Sequence, residues 1–330
     1  MAAPLTIGEL ARQALAGELS AMLALEPEAL RGADPEALHR MRVSVRRMRA
    51  FADLFLEVMP PLPRELRPEL KRLGDALGLV RDIDVQIEHL DHWLEKAPQP
   101  ARACRLDIAQ LLSTEREAAH DKLLGTITSA RHDQMAQEIA LLTSTSERWP
   151  PQSQVPASAA APVLLSRLHA EAVTAARRAR RQGNLKDLHR LRIASKRLRY
   201  ALEATRQFHG NKLDSRIRSL VKLQDALGLM QDSRVASTHF RKLARTAKGS
   251  GELRSAKMAE KARMHTALEW LAHRCDREAN HAALLALHRV NALDGKAWKF
   301  RTGKLAHSSV TATPSSSGPG PKSRPGKQIS

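Results

Sequence analysis

The chain carries one pattern twice, 150 residues apart, and no gap is needed to align the copies. HRMRVSVRRMR from His39 to Arg49 matches HRLRIASKRLR from His189 to Arg199 at five of eleven positions. LGDALGLVRDIDV from Leu73 to Val85 matches LQDALGLMQDSRV from Leu223 to Val235 at eight of thirteen. Duplicated segments this well aligned are expected to fold alike, so the sequence predicts a tandem repeat of one supersecondary unit. In the first block every identity is His or Arg, while the interleaved apolar positions exchange Met, Leu, Val and Ile.

The repeated unit reads as helical. Ala, Leu, Arg and Glu are abundant, aromatics make up only 3%, and runs of β-branched residues are lacking, which favours helix over strand. Asp34 before Pro35 is a helix start, a capping side chain followed by the residue best tolerated in the first turn. Asn184 takes the equivalent place in the second copy, with Asp187 putting negative charge in the first turn. At 330 residues and 42% hydrophobic content, an all-α chain of this size buries one large core or two smaller ones.

The expected layout is a first helical repeat over 1–142, a linker over 143–162, a second repeat over 163–301 and a tail over 302–330. Thr143 to Pro162 is rich in Ser, Pro and Ala and shows no helical period, as a linker would. From Thr302 onward the chain is rich in Ser, Gly and Pro and has basic residues but no acidic one. Such a tail is expected to be disordered and is assigned no site.

The repeated helices concentrate charge. His39, Arg42, Arg46 and Arg49 stand at i, i+3, i+7 and i+10, on a stripe about 80° wide and about 15 Å long. Leu38, Met41, Val45, Met48, Ala52 and Phe55 follow the same period on a neighbouring face that anchors the helix. His189, Arg192, Lys196 and Arg199 repeat the stripe beside Leu188, Leu191, Leu198 and Leu202, with Ser195 in place of Val45. Like charges so spaced weaken an isolated helix by a few tenths of a kcal/mol per pair, and neither stripe contains an acid. An external polyanion offsets that cost, and arginine forks suit phosphate oxygens. Most charge runs are merely solvated faces; the duplicated His and Arg identities favour a shared ligand.

Other basic positions are expected to be peripheral. Arg40, Arg47, Arg190 and Arg197 lie off the stripe, about 80 to 100° around the helix from the histidine, and are expected to be structural. Arg72 and its equivalent Lys222 are candidates for extending the basic surface, as is Arg81, seven residues beyond Gly74. Asp75, Asp82, Asp225 and Asp232 are expected to orient arginines. Gly78 and Gly228 lie inside helical pattern, where glycine costs about 1 kcal/mol relative to alanine, and predict close approach of another helix or a ligand.

The segments PEALHRMRVSVRRMRAFADLF, LGLVRDIDV, LHRLRIASKRLRYALE and LQDALGLMQD resemble the four segments that mark CHAD domains, conserved-histidine α-helical domains, in the family's order. The resemblance implies two four-helix units related by pseudo-twofold symmetry around a basic central channel. It further implies that the channel binds inorganic polyphosphate and that the protein associates with polyphosphate granules. Position by position it implies binding roles for His39, Arg42, Arg46, Arg49, His189, Arg192, Lys196 and Arg199, with Arg72 and Lys222 as further matches. Two departures stand out: Gln231 replaces Arg81, and Arg234 replaces Asp84.

No catalytic activity, cofactor or metal is expected. The chain lacks a phosphate loop ending in Lys and Ser or Thr, a HExxH pair and a GxSxG elbow. It also lacks the alternating Glu and Lys strands of the triphosphate tunnel domain that accompanies some CHAD domains. Arginines beside His39 and His189 oppose a divalent cation, and no carboxylate or thiol stands at ligand spacing. A net charge of +19 makes non-specific nucleic-acid binding the alternative function. Against it, aromatics for base stacking are scarce, with only Phe51 and Tyr200 near the stripes. Cys104 and Cys275 read as small buried residues of a reducing compartment. The N-terminal segment reads as an amphipathic helix and not a secretion signal, and no apolar run reaches membrane-spanning length. A soluble, cytoplasmic protein is expected.

Overall fold

The computed structural model describes residues 4–145, 149–247, 256–293 and 298; the tail expected over 302–330 lies outside them. Among the described residues the chain is all-helical, with no strand. The helices are α1 Ile7–Arg31, α2 Pro35–Leu54, α3 Leu66–Leu94, the short α4 Gln99–Ala103, α5 Arg105–Ile127, α6 Ala130–Ser144, α7 Ala157–Gln182, α8 Leu185–Ala204, α9 Asp214–Ala247 and α10 Ala256–Arg289.

Local chemistry sets the helix ends. Thr6, Asp34 and Asn184 accept backbone N–H groups of Glu9, Glu36 and Asp187 at 3.1, 2.9 and 2.9 Å, satisfying donors that a helix N-terminus leaves free. α1 and α7 end on Gly32 and Gly183 with φ of 66° and 60°, the left-handed conformation glycine adopts without steric cost. Gly32 has a second constraint, because a Cβ there would lie 2.5 Å from His120 Nε2. α1 and α7 begin at residues 7 and 157, α2 and α8 at 35 and 185, so both pairs of starts keep the 150-residue displacement.

Neighbouring helices pack in sequence. α1 lies on α2, α2 on α3 and α3 on α5; then α7 lies on α8, α8 on α9 and α9 on α10. The halves meet where α2 touches α8, α3 touches α9 and α1 touches α7. Their apolar faces merge into one continuous core running from Ile7 through Met22, Met48, Leu77 and Leu198 to Phe240 and Cys275. Fully burying a Leu or Met side chain stabilises by roughly 1.5–3 kcal/mol, and a core crossing the boundary couples the halves in folding. Polar ties reinforce it: Trp93 Nε1 of α3 donates to Glu278 Oε2 of α10 at 2.9 Å, and His239 Nδ1 of α9 lies 2.7 Å from Gln86 Oε1 of α3.

The segment expected to be a linker over 143–162 is entered by helices at both ends. α6 continues to Ser144 and α7 begins at Ala157, leaving only part of the segment between helices. The Ala159–Ala161 run outweighs its Ser and Pro neighbours because alanine has the highest helix propensity, and Ala157 and Ala161 are fully buried. Ala157 N donates to Leu5 O and Ile7 N to Val155 O, both at 2.8 Å, so the starts of α1 and α7 bind each other's backbone. Both cysteines are buried and unpaired, and burial pushes both thiols above their ordinary pKa.

Candidate polyanion-binding site

α2 carries its stripe toward α3 and α8. The apolar face buries Leu38, Met41, Val45 and Met48 completely, which fixes the rotation of the helix and turns the basic side chains out of the core. Arg42 crosses onto α3, where its Nη2 lies 3.6 Å from Asp82 Oδ1. It lies flat over Gly78: a Cβ at that glycine would meet Arg42 Nη2 at 3.4 Å and Nε at 3.5 Å. The close approach expected at Gly78 is thus made by an arginine. Arg49 is exposed, with Nη1 above Gly74. Arg46 Nε donates to the hydroxyl of Tyr200 on α8 at 2.9 Å, and this bond spans the two halves.

The α8 stripe faces Arg42 and Arg46. Lys196, half-buried, is pressed down to about 6, far below an ordinary lysine, by burial first and then by Arg46, Arg192, Arg42 and Arg199. Arg192 is likewise lowered, by burial foremost and by Arg46 and Arg42, with Asp232 acting the other way. Burial raises Asp82 and neighbouring Asp232 adds to that, while Arg42, Arg192 and Arg81 oppose it. The four helices α2, α3, α8 and α9 therefore bring Arg42, Arg46, Arg81, Arg192 and Lys196 near the carboxylates Asp82 and Asp232, with Glu88 3.5 Å from Arg81. Partly buried charges act on each other through a medium of lower dielectric than water, so the cations of the cluster oppose one another.

His39 joins this cluster and His189 does not. Burial lowers the His39 pKa, with Arg81, Arg46 and Arg42 adding to the effect and Glu36 opposing it. Its Nδ1 is buried without a hydrogen-bond partner. His189 is exposed. Arg199 is braced on its own helix, 3.6 Å from Glu203 and stacked over the Tyr200 ring with 5.2 Å between guanidinium carbon and ring centre.

The two further candidates, Arg72 on α3 and Lys222 on α9, differ from each other in their surroundings. Arg72 is held by Glu69, with Nε at 3.0 Å, and by Ser129 Oγ at 2.8 Å from its Nη2. Its donors serve the junction of α5 and α6. Lys222 is exposed at the equivalent position of α9. Spacing within α3 could not reveal this, because Ser129 is supplied by a distant turn.

The off-stripe arginines behave as structural residues. Arg47 pairs with Glu18 of α1 at 2.5 Å and Glu203 of α8 at 3.0 Å, and Arg197 pairs with Glu171 of α7 at 2.9 Å. The departure at Arg234 is a charge swap. Asp84 of α3 accepts from Arg116 of α5 at 2.5 Å, whereas Arg234 of α9 donates to Asp276 of α10 at 2.9 Å. Each bridge ties its helix to a helix that packs against it. Two residues absent from the eight-residue stripes belong with them: Arg81, whose i+7 spacing from Gly74 was its only signal, and Tyr200, which holds Arg46.

Among the described residues no group of His, Cys, Asp or Glu is arranged to hold a metal ion, and no helix is long and apolar enough to cross a membrane. The protein is all-helical, and Arg42 and Arg46 of α2 lie near Arg192 and Lys196 of α8. The chain belongs to the CHAD domain family, whose model matches residues 13–241 and so takes in both stripes. Among solved structures, the crystal structure of the CHAD domain from the plant Ricinus communis is similar over 87% of this chain and 93% of its own, with TM-score 0.67 and 26% identity. PptA from Streptomyces chartreusis is similar over 86% of this chain and 99% of its own, with TM-score 0.61 and 20% identity, a likeness of fold. No curated protein matched the sequence.

Proposed function

We propose that the protein binds inorganic polyphosphate between α2 and α8, with Arg42, Arg46, Arg192, Lys196 and Arg199 contacting phosphate and His39 and Arg81 beside them. The observation that carries this reading is the crowding of cations: Arg42 and Arg46 of α2 lie close enough to Arg192 and Lys196 of α8 that burial first, and these like charges next, lower the proton affinity of both α8 residues. A chain of phosphates supplies repeated charge at the spacing of the stripes and accepts bidentate guanidinium hydrogen bonds. The CHAD family is linked to polyphosphate-related proteins, which favours this anion over others. In the same reading the site is the basic channel that the family resemblance implies, residues 1–301 form the binding unit, and the protein associates with polyphosphate granules. The role is binding without catalysis.

Nucleic acid is the competing ligand by charge alone. Phe51 and Tyr200, the aromatics nearest the stripes, are both buried and offer no face for base stacking. Competition separates the two: short-chain polyphosphate in excess is expected to displace labelled duplex DNA from the protein. Failure to displace it would remove the preference for polyphosphate.

A further inference from the structure

Lys196 differs from every other cation of the site in what its side chain can do. It stands where α2 has Arg46, so the duplication places one amine among guanidinium groups. Arg42 and Arg46 oppose its charge from α2, Arg192 and Arg199 from α8. The nearby carboxylates are engaged: Asp82 with Arg42, and Glu203 with Arg47 and Arg199; Asp232 acts on Arg192. Among the described residues Lys196 itself has no ion pair or hydrogen-bond partner. A half-buried amine with like charges on two sides and no counter-ion favours its neutral form, and a neutral amine is a nucleophile.

We infer that Lys196 is a site of acylation by acyl phosphates, whose phosphoryl group the surrounding arginines hold while the amine attacks the carbonyl. The Lys196 nitrogen forms a bond to the carbonyl carbon and the bond from that carbon to the phosphate oxygen breaks. Phosphate leaves with the electron pair of that bond and takes up the proton the nitrogen loses. The products are an amide and inorganic phosphate, with no oxidant or reductant required. The amide cannot take up a proton, so acylation removes the ability of position 196 to become a cation when a polyanion binds beside it. Modification and polyanion binding then exclude each other at the same residue. This inference rests on the arginine cluster of the proposed binding site but not on polyphosphate being its ligand.

The full-length protein, treated with acetyl phosphate near neutral pH and digested for peptide mass spectrometry, gives an acetylation rate for each lysine. Lys196 is expected to react about tenfold faster than the exposed Lys222, because a desolvated lysine surrounded by cations is the more nucleophilic. Inorganic phosphate should slow Lys196 and leave Lys222 unchanged. An uncharged acetylating ester should lose much of the preference, and Arg192→Gln should reduce it while circular dichroism confirms the fold. A Lys196 rate equal to or below that of Lys222 with acetyl phosphate overturns the inference. Titration of the same untreated protein with polyphosphate keeps the two readings distinguishable. Selective acetylation without polyphosphate binding sinks the binding proposal alone, and binding without selective acetylation sinks this one alone.

Discussion

The α2 and α8 stripes have the same spacing and opposite circumstances. On α2 three of the four are braced, Arg42 by Asp82 and the surface over Gly78, Arg46 by the Tyr200 hydroxyl and His39 by burial beside Arg81, while Arg49 is exposed. On α8 only Arg199 is braced, by Glu203; Arg192 and Lys196 face Arg42 and Arg46, and His189 is exposed. The packing beneath the stripes differs too. In the first half Gly74 leaves room against Val45; in the second Gln224 fills that space and its Nε2 donates to Ser195 O at 2.9 Å. The cations stand at equivalent places along the two helices, and the packing around each helix decides which are held by a partner.

This contrast is broken most severely by reversing charge at the two facing positions. Arg46→Glu combined with Lys196→Glu should weaken polyphosphate binding by about a thousandfold or more, since each lost charged hydrogen bond is worth about 1.5–3 kcal/mol before repulsion is added. Far-UV circular dichroism should show unchanged helix content, because neither side chain contributes to the core. Binding that survives in the double variant would assign the ligand to another surface.

A single neutralisation on the unbraced side should cost more than one on the braced side. Arg192→Gln is expected to lower affinity by about tenfold, one charged contact. Arg42→Gln should lower it less, because part of Arg42's charge is already spent on Asp82. Equal losses in a titration of the two variants would show that bracing does not matter to the ligand.

Lys196→Met should raise stability while lowering affinity. The folded chain keeps the Lys196 proton only below a pKa lowered to about 6, against 10.5 ordinarily, so the unfolded state binds more protons between those values. Stability therefore rises with pH across the window from about 6 to 10.5, and the penalty is largest below it. Removing the amine should raise Tm at neutral pH by a few degrees, about 2–4 °C for each kcal/mol in a chain of this class, and flatten that part of the pH dependence. A Tm that falls in Lys196→Met would show that the amine is well solvated or paired.

The histidines should give the smallest effects and the clearest asymmetry. Polyphosphate affinity is expected to rise as pH falls from 8 toward 5.5, as Lys196 and His39 gain charge in the bound state. His39→Gln should reduce that rise, whereas His189→Gln should leave it nearly unchanged. Equal effects of the two substitutions in the same pH series would restore the symmetry that the sequence suggests.

Much of this was legible in the residues. The 150-residue displacement, the caps at Asp34 and Asn184 and the i, i+3, i+7, i+10 spacing gave the helices, their starts and the basic stripes, because these are properties of local sequence. The assignment of Arg47 and Arg197 to structure followed from the same helical geometry. Burial was not legible: His39 and His189 occupy equivalent positions, and only the packing around each separates them. The hydrogen bond of Arg72 to Ser129 was not legible either, since its partner stands 57 residues away. The exchange of Asp84 with Arg116 for Arg234 with Asp276 was hidden because the compensating residue lies on a different helix. The start of α7 was missed because proline and serine were weighed above the alanines between them.

The central claim is that the crowded cations between α2 and α8 are a polyphosphate site. Calorimetric titration of the protein with polyphosphates of defined length, alongside ATP and duplex DNA at the same ionic strength, tests it most directly. The account predicts saturable binding of polyphosphate, tighter than either competitor, strengthening with chain length until the stripes are filled. Equal or tighter binding of duplex DNA, or affinity for ATP matching that for long chains, would contradict it.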